Sequence, residues 1–193
     1  MLSVAQGIFT VLDKANSDTT RFSPTLANYN DEICFVIGGL GKLGANVPLR
    51  SVSCYDIVKD KWDPETLDIP CLNVPRESPS ACSLGNFVFV FAGKTEKQTL
   101  VNSIERLNVK TMRNDVGYDW VLIMLPEDVF APRFGISVVP LNKHEIAILG
   151  GRNDFGTLKR DSLLPDVLIF DARTNLCRMV TNGGDFSFWS ENN

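Results

Sequence analysis

The chain has 193 residues, with 44 % hydrophobic residues, 22 % charged residues and a formal net charge of −4. That balance suits a packed domain and excludes a disordered chain. It also speaks against a nucleic-acid partner, which needs a cationic footprint; the longest Lys/Arg run is Lys159-Arg160. Apolar stretches such as Phe87–Ala92 and Val121–Leu125 fall far short of the ~20 residues of a membrane helix, so no membrane partner is expected.

Met1–Leu12 is fairly apolar but lacks a basic n-region and a small-residue cleavage site. It does not read as a signal peptide, and a cytoplasmic location is the expectation. Within it, Gly7–Leu12 reads as one strand left over from a preceding, incomplete unit. Beyond this point helical periodicity is almost absent. Short runs of Val, Ile, Phe and Leu are bounded by Gly, Pro, Asn and Asp, the pattern of an all-β chain.

Those runs recur in register. Arg21, Arg76 and Arg133 each open a short, mostly small or apolar segment, strand a. Polar turns follow at 28–31, 84–86 and 141–144. Strand b is then an apolar run closing on two small residues: Gly38-Gly39, Ala92-Gly93 and Gly150-Gly151. From arginine to second glycine is 18, 17 and 18 residues, and successive second glycines lie 54 and 58 residues apart. A third strand ends at Tyr55-Asp56, Leu107-Asn108 and Phe170-Asp171. A fourth lies near 62–69, 120–125 and 176–181, the second after an insertion at 113–118. The unit is therefore four antiparallel strands, repeated over about 21–70, 76–126 and 133–182. The aromatic, then polar, tail 186–193 has no place in this pattern.

The double glycines, the Tyr55-Asp56 pair and Trp62 seven residues beyond Tyr55, with Trp120 in the second copy, resemble the kelch repeat over nearly the whole chain. The resemblance implies a kelch-type β-propeller with three four-stranded blades, an incomplete ring where about six blades are usual. Rings at Tyr55 and Trp62 would fill the wedge between neighbouring blades. Three blades alone would leave two apolar blade faces exposed. A longer parent propeller, a homodimer or a continuation chain would each complete the ring. The resemblance also places the openings of strand a and the loops between strands b and c on one face. Arg21, Arg76 and Arg133 would there line a channel mouth and hold a protein or acidic-peptide ligand through bidentate forks. The alternative for these arginines is structural, pairing with a neighbouring acid or carbonyl.

Chemistry is sparse. The single histidine, His144, sits in a polar turn with no nucleophile or orienting carboxylate marked beside it. Cys34, Cys54, Cys71, Cys82 and Cys177 have no C-x-x-C spacing and read as reduced thiols rather than a disulfide framework or zinc site. Gly38–Gly44 lacks the phosphate-loop frame and a following helix. The acidic pairs Asp31-Glu32 and Glu127-Asp128 sit in turns as solvated charge. No cofactor, metal or catalytic residue is expected. The reading is a non-enzymatic protein-interaction module, set against a galactose-oxidase-like or sugar-processing enzyme on the same fold and against a structural half-ring.

Overall fold

A computed structural model describes residues 21–41, 47–62, 68–97, 99–112, 118–154 and 163–180. The strand expected at 7–12 and the tail 186–193 lie outside them. Among the described residues, twelve strands form three separate four-stranded antiparallel sheets. The first contains β1 (Thr25–Tyr29), β2 (Ile33–Ile37), β3 (Val52–Asp56) and β4 (Lys61–Trp62). The second contains β5 (Ser80–Leu84), β6 (Phe87–Phe91), β7 (Ser103–Asn108) and β8 (Val121–Met124). The third contains β9 (Ser137–Pro140), β10 (Glu145–Leu149), β11 (Val167–Asp171) and β12 (Leu176–Met179). Each sheet follows chain order, and its first strand lies against the first strand of the next sheet, β1 on β5 and β5 on β9. This is the arrangement of propeller blades around an axis. One turn of helix, α1 (Val109–Met112), departs from the all-strand expectation; Asn108 starts it by accepting the Lys110 and Thr111 amides.

Strand β6 shows why the sheets stack. It is apolar on both faces because both are covered. Phe89 and Phe91 enter a core shared with Ile146, Ile148, Leu168 and Phe170 of the third sheet. Val88 and Val90 enter the core that holds Ile33, Phe35 and Ile37 of the first. Phe170 meets both rings edge-on, at 5.9 Å from Phe89 and 5.9 Å from Phe91. Each such buried phenyl is worth roughly 1.5–3 kcal/mol by area, and each ring pair about 0.5–1.5 kcal/mol more.

The turns after the third strands are built alike. Asp56 accepts the amides of Val58 and Lys59, and Asp171 those of Arg173 and Thr174. Asn108 occupies the corresponding place in the second sheet. A short side-chain acceptor that stands in for a backbone turn explains the recurring Asp or Asn.

Three expectations change. Tyr55 and Trp62 do face each other, with ring centroids 5.2 Å apart. They do not lie between the described blades, however. Tyr55 pairs with Cys34, whereas the alternate residues Phe35 and Ile37 turn toward the second sheet, so the two rings lie on the opposite face. The wedge between the first two blades is filled by Trp120, which is buried and donates its indole N–H to the Pro70 carbonyl at 2.9 Å. Second, the terminal faces are not simply bare. Val36, Ser53 and Tyr55 on the first, and Ala147 and Ile169 on the last, are buried; Val139 and Leu149 on the last remain exposed. Third, the fourth strand of the first blade is a two-residue pairing at Lys61–Trp62, and 63–67 lie outside the described residues.

Candidate functional site: the loop face

Arg21, Arg76 and Arg133 occupy equivalent places, and each holds its own blade together. The first residue of the glycine pair ends strand b and turns its carbonyl toward the arginine. Gly38, Ala92 and Gly150 accept from the guanidinium at 3.3, 2.8 and 3.1 Å. The residue just before or at the start of the third strand provides a second acceptor. It is the Ser51 carbonyl at 2.8 Å, the Ser103 carbonyl at 2.9 Å, and the Asp166 carboxylate at 2.6 and 2.8 Å. The recurring spacing from arginine to glycine is thus the length of chain needed to bring a guanidinium to that carbonyl.

Arg76 is the most enclosed. Its side chain is wholly buried with that of Glu105, and the two meet at 3.1 Å. Glu105 also accepts the Asn73 amide at 2.6 Å and the Val74 amide at 3.1 Å, which fastens the link from the first blade to the second. Burial pulls the Arg76 guanidinium below its ordinary pKa, and Glu105 works against that pull. Arg133 is buried too, with Asp166 bidentate and the Phe130 ring 5.1 Å from its Cζ. Arg21 is half-buried and also reaches Ser53 Oγ at 2.9 Å.

The second glycine joins one blade to the next. The Gly39 amide donates to the Arg76 carbonyl at 2.8 Å, and the Gly93 amide to the Arg133 carbonyl at 3.0 Å. Both glycines have positive φ, 92° and 103°, and a Cβ would come within 2.7 Å of the Phe22 carbonyl oxygen at Gly39 and within 2.9 Å of the Glu77 carbonyl oxygen at Gly93. Only glycine fits such a corner.

Residues 21–66, from the first of these arginines past Trp62, match the family model of the kelch motif. These residues carry a kelch motif. No curated protein matches the chain.

Arg76 and Arg133 are therefore fastenings rather than part of an open ring of charge. The expectation that Arg76 and Arg133 line a channel mouth is corrected: both are buried, and their donors are taken up by acceptors of the same chain. A cation buried this deeply is kept only with such partners.

What the corners present instead is a rim. The residue after each arginine pairs with the residue after each second glycine through two backbone hydrogen bonds. The pairs are Phe22 with Leu40, Glu77 with Lys94, and Phe134 with Arg152. Phe22 is 66 % exposed. Lys94 reaches Glu77 at 2.7 Å and lies 4.9 Å from the Phe134 ring centre, which ties the second blade's rim to the third. Arg152 lies 5.4 Å from the same ring centre and meets Asp154 at 2.8 Å. Leu40, Lys94 and Arg152 open the variable loops between strands b and c, where the sequence places partner specificity; Phe22, Glu77 and Phe134 were not singled out. The signal existed: all six follow the arginine and the glycine pair in the same register, but their chemistry differs from blade to blade.

His144 is half-buried in the turn at the opposite end of the third blade, where its amide donates to Asn142 Oδ1. Among the described residues, no group of three or more His, Cys, Asp or Glu is placed to hold a metal ion. No helix among them is long and apolar enough to cross a membrane.

Proposed function

We propose that this kelch chain is a non-enzymatic scaffold that binds another protein across its loop face, through the rim Phe22, Leu40, Glu77, Lys94, Phe134 and Arg152. The observation that carries the reading is the repeated pairing at the rim. An invariant fastening under each blade carries a variable pair above it, apolar on the first, ionic on the second and cation–aromatic on the third. Rigid support beneath variable side chains is what a recognition surface needs. The exposed Phe22 offers an aromatic anchor, and the half-buried ion pairs Glu77–Lys94 and Arg152–Asp154 on the other two blades offer a polar surround. The test compares affinity capture by the parent chain, by a rim variant (Phe22→Ser, Lys94→Glu, Arg152→Glu), and by a variant of the opposite end (Lys143→Glu, His144→Ala). Proteins captured by the parent are lost with the rim variant and kept with the other. Equal capture by all three refutes the reading.

A second reading, assembly into a fuller ring, is favoured by Gly151. Its φ of 99° repeats the corner at which Gly39 and Gly93 receive the next blade's arginine carbonyl. A further arginine-opened blade, from a second copy or a continuation of the chain, fits that corner. A mass in solution that stays monomeric at all concentrations would exclude the second copy.

A further inference from the structure

The outermost strand of a blade is a sheet edge, and an edge is a template for another strand unless something guards it. Two of the three outer strands carry a charge. In β4 it is the exposed Lys61, and in β12 it is Arg178, paired with Glu145 at 3.1 Å between Leu176 and Met179. Strand β8 has neither charge nor proline. Its sequence is Val121-Leu122-Ile123-Met124, and Val121, Leu122 and Met124 are 49, 40 and 63 % exposed.

The strand is also firmly held from behind. It pairs along β7 from Arg106↔Val121 to Ser103↔Met124, and Ile123 enters the core between the second and third blades. The carbonyls just outside it are occupied, Trp120 by Asn73 Nδ2 at 2.6 Å and Leu125 by Asn102 Nδ2 at 3.1 Å. So β8 is a short, rigid, apolar edge with pinned ends. Exposed carboxylates flank it on both sides. Asp119 stands two residues before it, and Glu127 and Asp128 three and four after it, all exposed. The neighbouring cation Arg106, opposite Val121, lies 5.0 Å from the Phe87 ring centre.

We infer that β8 is a second docking site, distinct from the rim, which takes up an extended segment of another protein as a fifth strand. The chemistry specifies that segment. It is four or five residues of β-forming character, so that backbone bonds are made along the edge, side chains of one face cover Leu122 and Met124, and those of the other face cover Val121. It is flanked by lysine or arginine on both sides, complementary to Asp119 and to Glu127 and Asp128.

The test uses the whole chain and a fluorescein-labelled probe peptide, Lys-Lys-Val-Thr-Val-Thr-Val-Lys-Lys, followed by fluorescence anisotropy at low salt. The expected result is saturable binding, weakened about tenfold or more when the lysines are replaced by glutamates, as expected for charge pairing that salt also screens. Binding is abolished when the central valine becomes proline, which cannot pair along an edge. The double variant Leu122→Lys, Met124→Lys loses it by about tenfold or more, whereas the rim variant described above binds as the parent does. Should the double variant fail to fold, Met124→Thr alone replaces it, with a smaller loss. No binding of the probe, equal binding of the glutamate-flanked peptide, or unchanged binding by the β8 variants overturns the proposal. Concentration-dependent self-association that Leu122→Lys, Met124→Lys abolishes would make the occupant a second copy, and would overturn it too.

Discussion

The sharpest test of the arginine fastening is Arg76→Met. The side chain is wholly buried, and its guanidinium donates to the Ala92 and Ser103 carbonyls, to Ser103 Oγ and to Glu105. Methionine fills much of the same volume but donates nothing. The Glu105 carboxylate would remain buried, with the amides of Asn73 and Val74 but without its counter-charge. Breaking one side of a buried ion pair costs about 3–5 kcal/mol. Two carbonyls and a hydroxyl lose their donor as well, so the upper end of that range is expected. Domains of this kind have about 5–15 kcal/mol in all, so the variant is near the limit of folding. Urea unfolding followed by tryptophan fluorescence reads the loss, because Trp120 lies beside the same linker and its carbonyl is held by Asn73. The double variant Arg76→Met, Glu105→Gln should recover part of the loss by removing the stranded charge. A loss below about 1 kcal/mol would refute the reasoning, as would an Arg76→Glu chain that folds normally; in either case the arginine would not be a fastening.

Three further outcomes follow from particular residues. Trp120→Ala should cost about 3–5 kcal/mol, because that ring fills the wedge between two blades; Trp62→Ala, half-buried against Tyr55, should cost less than half as much in the same urea titration. Gly93→Ala should lower the thermal midpoint, since its Cβ would meet the Glu77 carbonyl oxygen at 2.9 Å, whereas Ala92→Gly should hold or raise it by relieving an alanine at φ 56°. Asp171 is held at about 2 by hydrogen bonds from Arg173, first from its side chain and then from its amide. A depressed folded pKa means that the stabilisation is present above the ordinary value of 3.8 and lost as pH falls toward 2. Asp171→Asn should therefore flatten that part of the acid unfolding curve, and an unchanged slope between pH 4 and 2 would contradict the assignment.

Much of the fold was legible because it repeats. One degenerate strand pattern is ambiguous, but three in register give strand order, hairpin length and the place of the turns. The candidate site was legible only in part. The arginines stand out in sequence because each blade needs one, and the same regularity disguised their role. A residue repeated for a structural reason and one repeated to build a ring of ligands look alike in one dimension. The rim residues carried a weaker signal: they keep the register of the arginines and glycines, but Glu77 stands where the other two blades have Phe22 and Phe134, and Leu40, Lys94 and Arg152 differ from one another. Trp62 was legible in part. Its spacing from Tyr55 correctly foretold a ring pair, but not which face of the sheet that pair would occupy.

By itself, then, the sequence determined the repeat. Alternating apolar residues, glycine corners and the constant distance from arginine to glycine admit few structures other than a row of four-stranded antiparallel blades. Tertiary structure alone decided what those residues face. Burial of Arg76 with Glu105, of Arg133 with Asp166 and of Trp120 against Pro70 depends on elements that are 29, 33 and 50 positions apart in sequence. Whether a guanidinium is a fastening or an open site is settled by the acceptors that packing brings to it. Those acceptors are mostly backbone carbonyls, which every sequence has and none advertises.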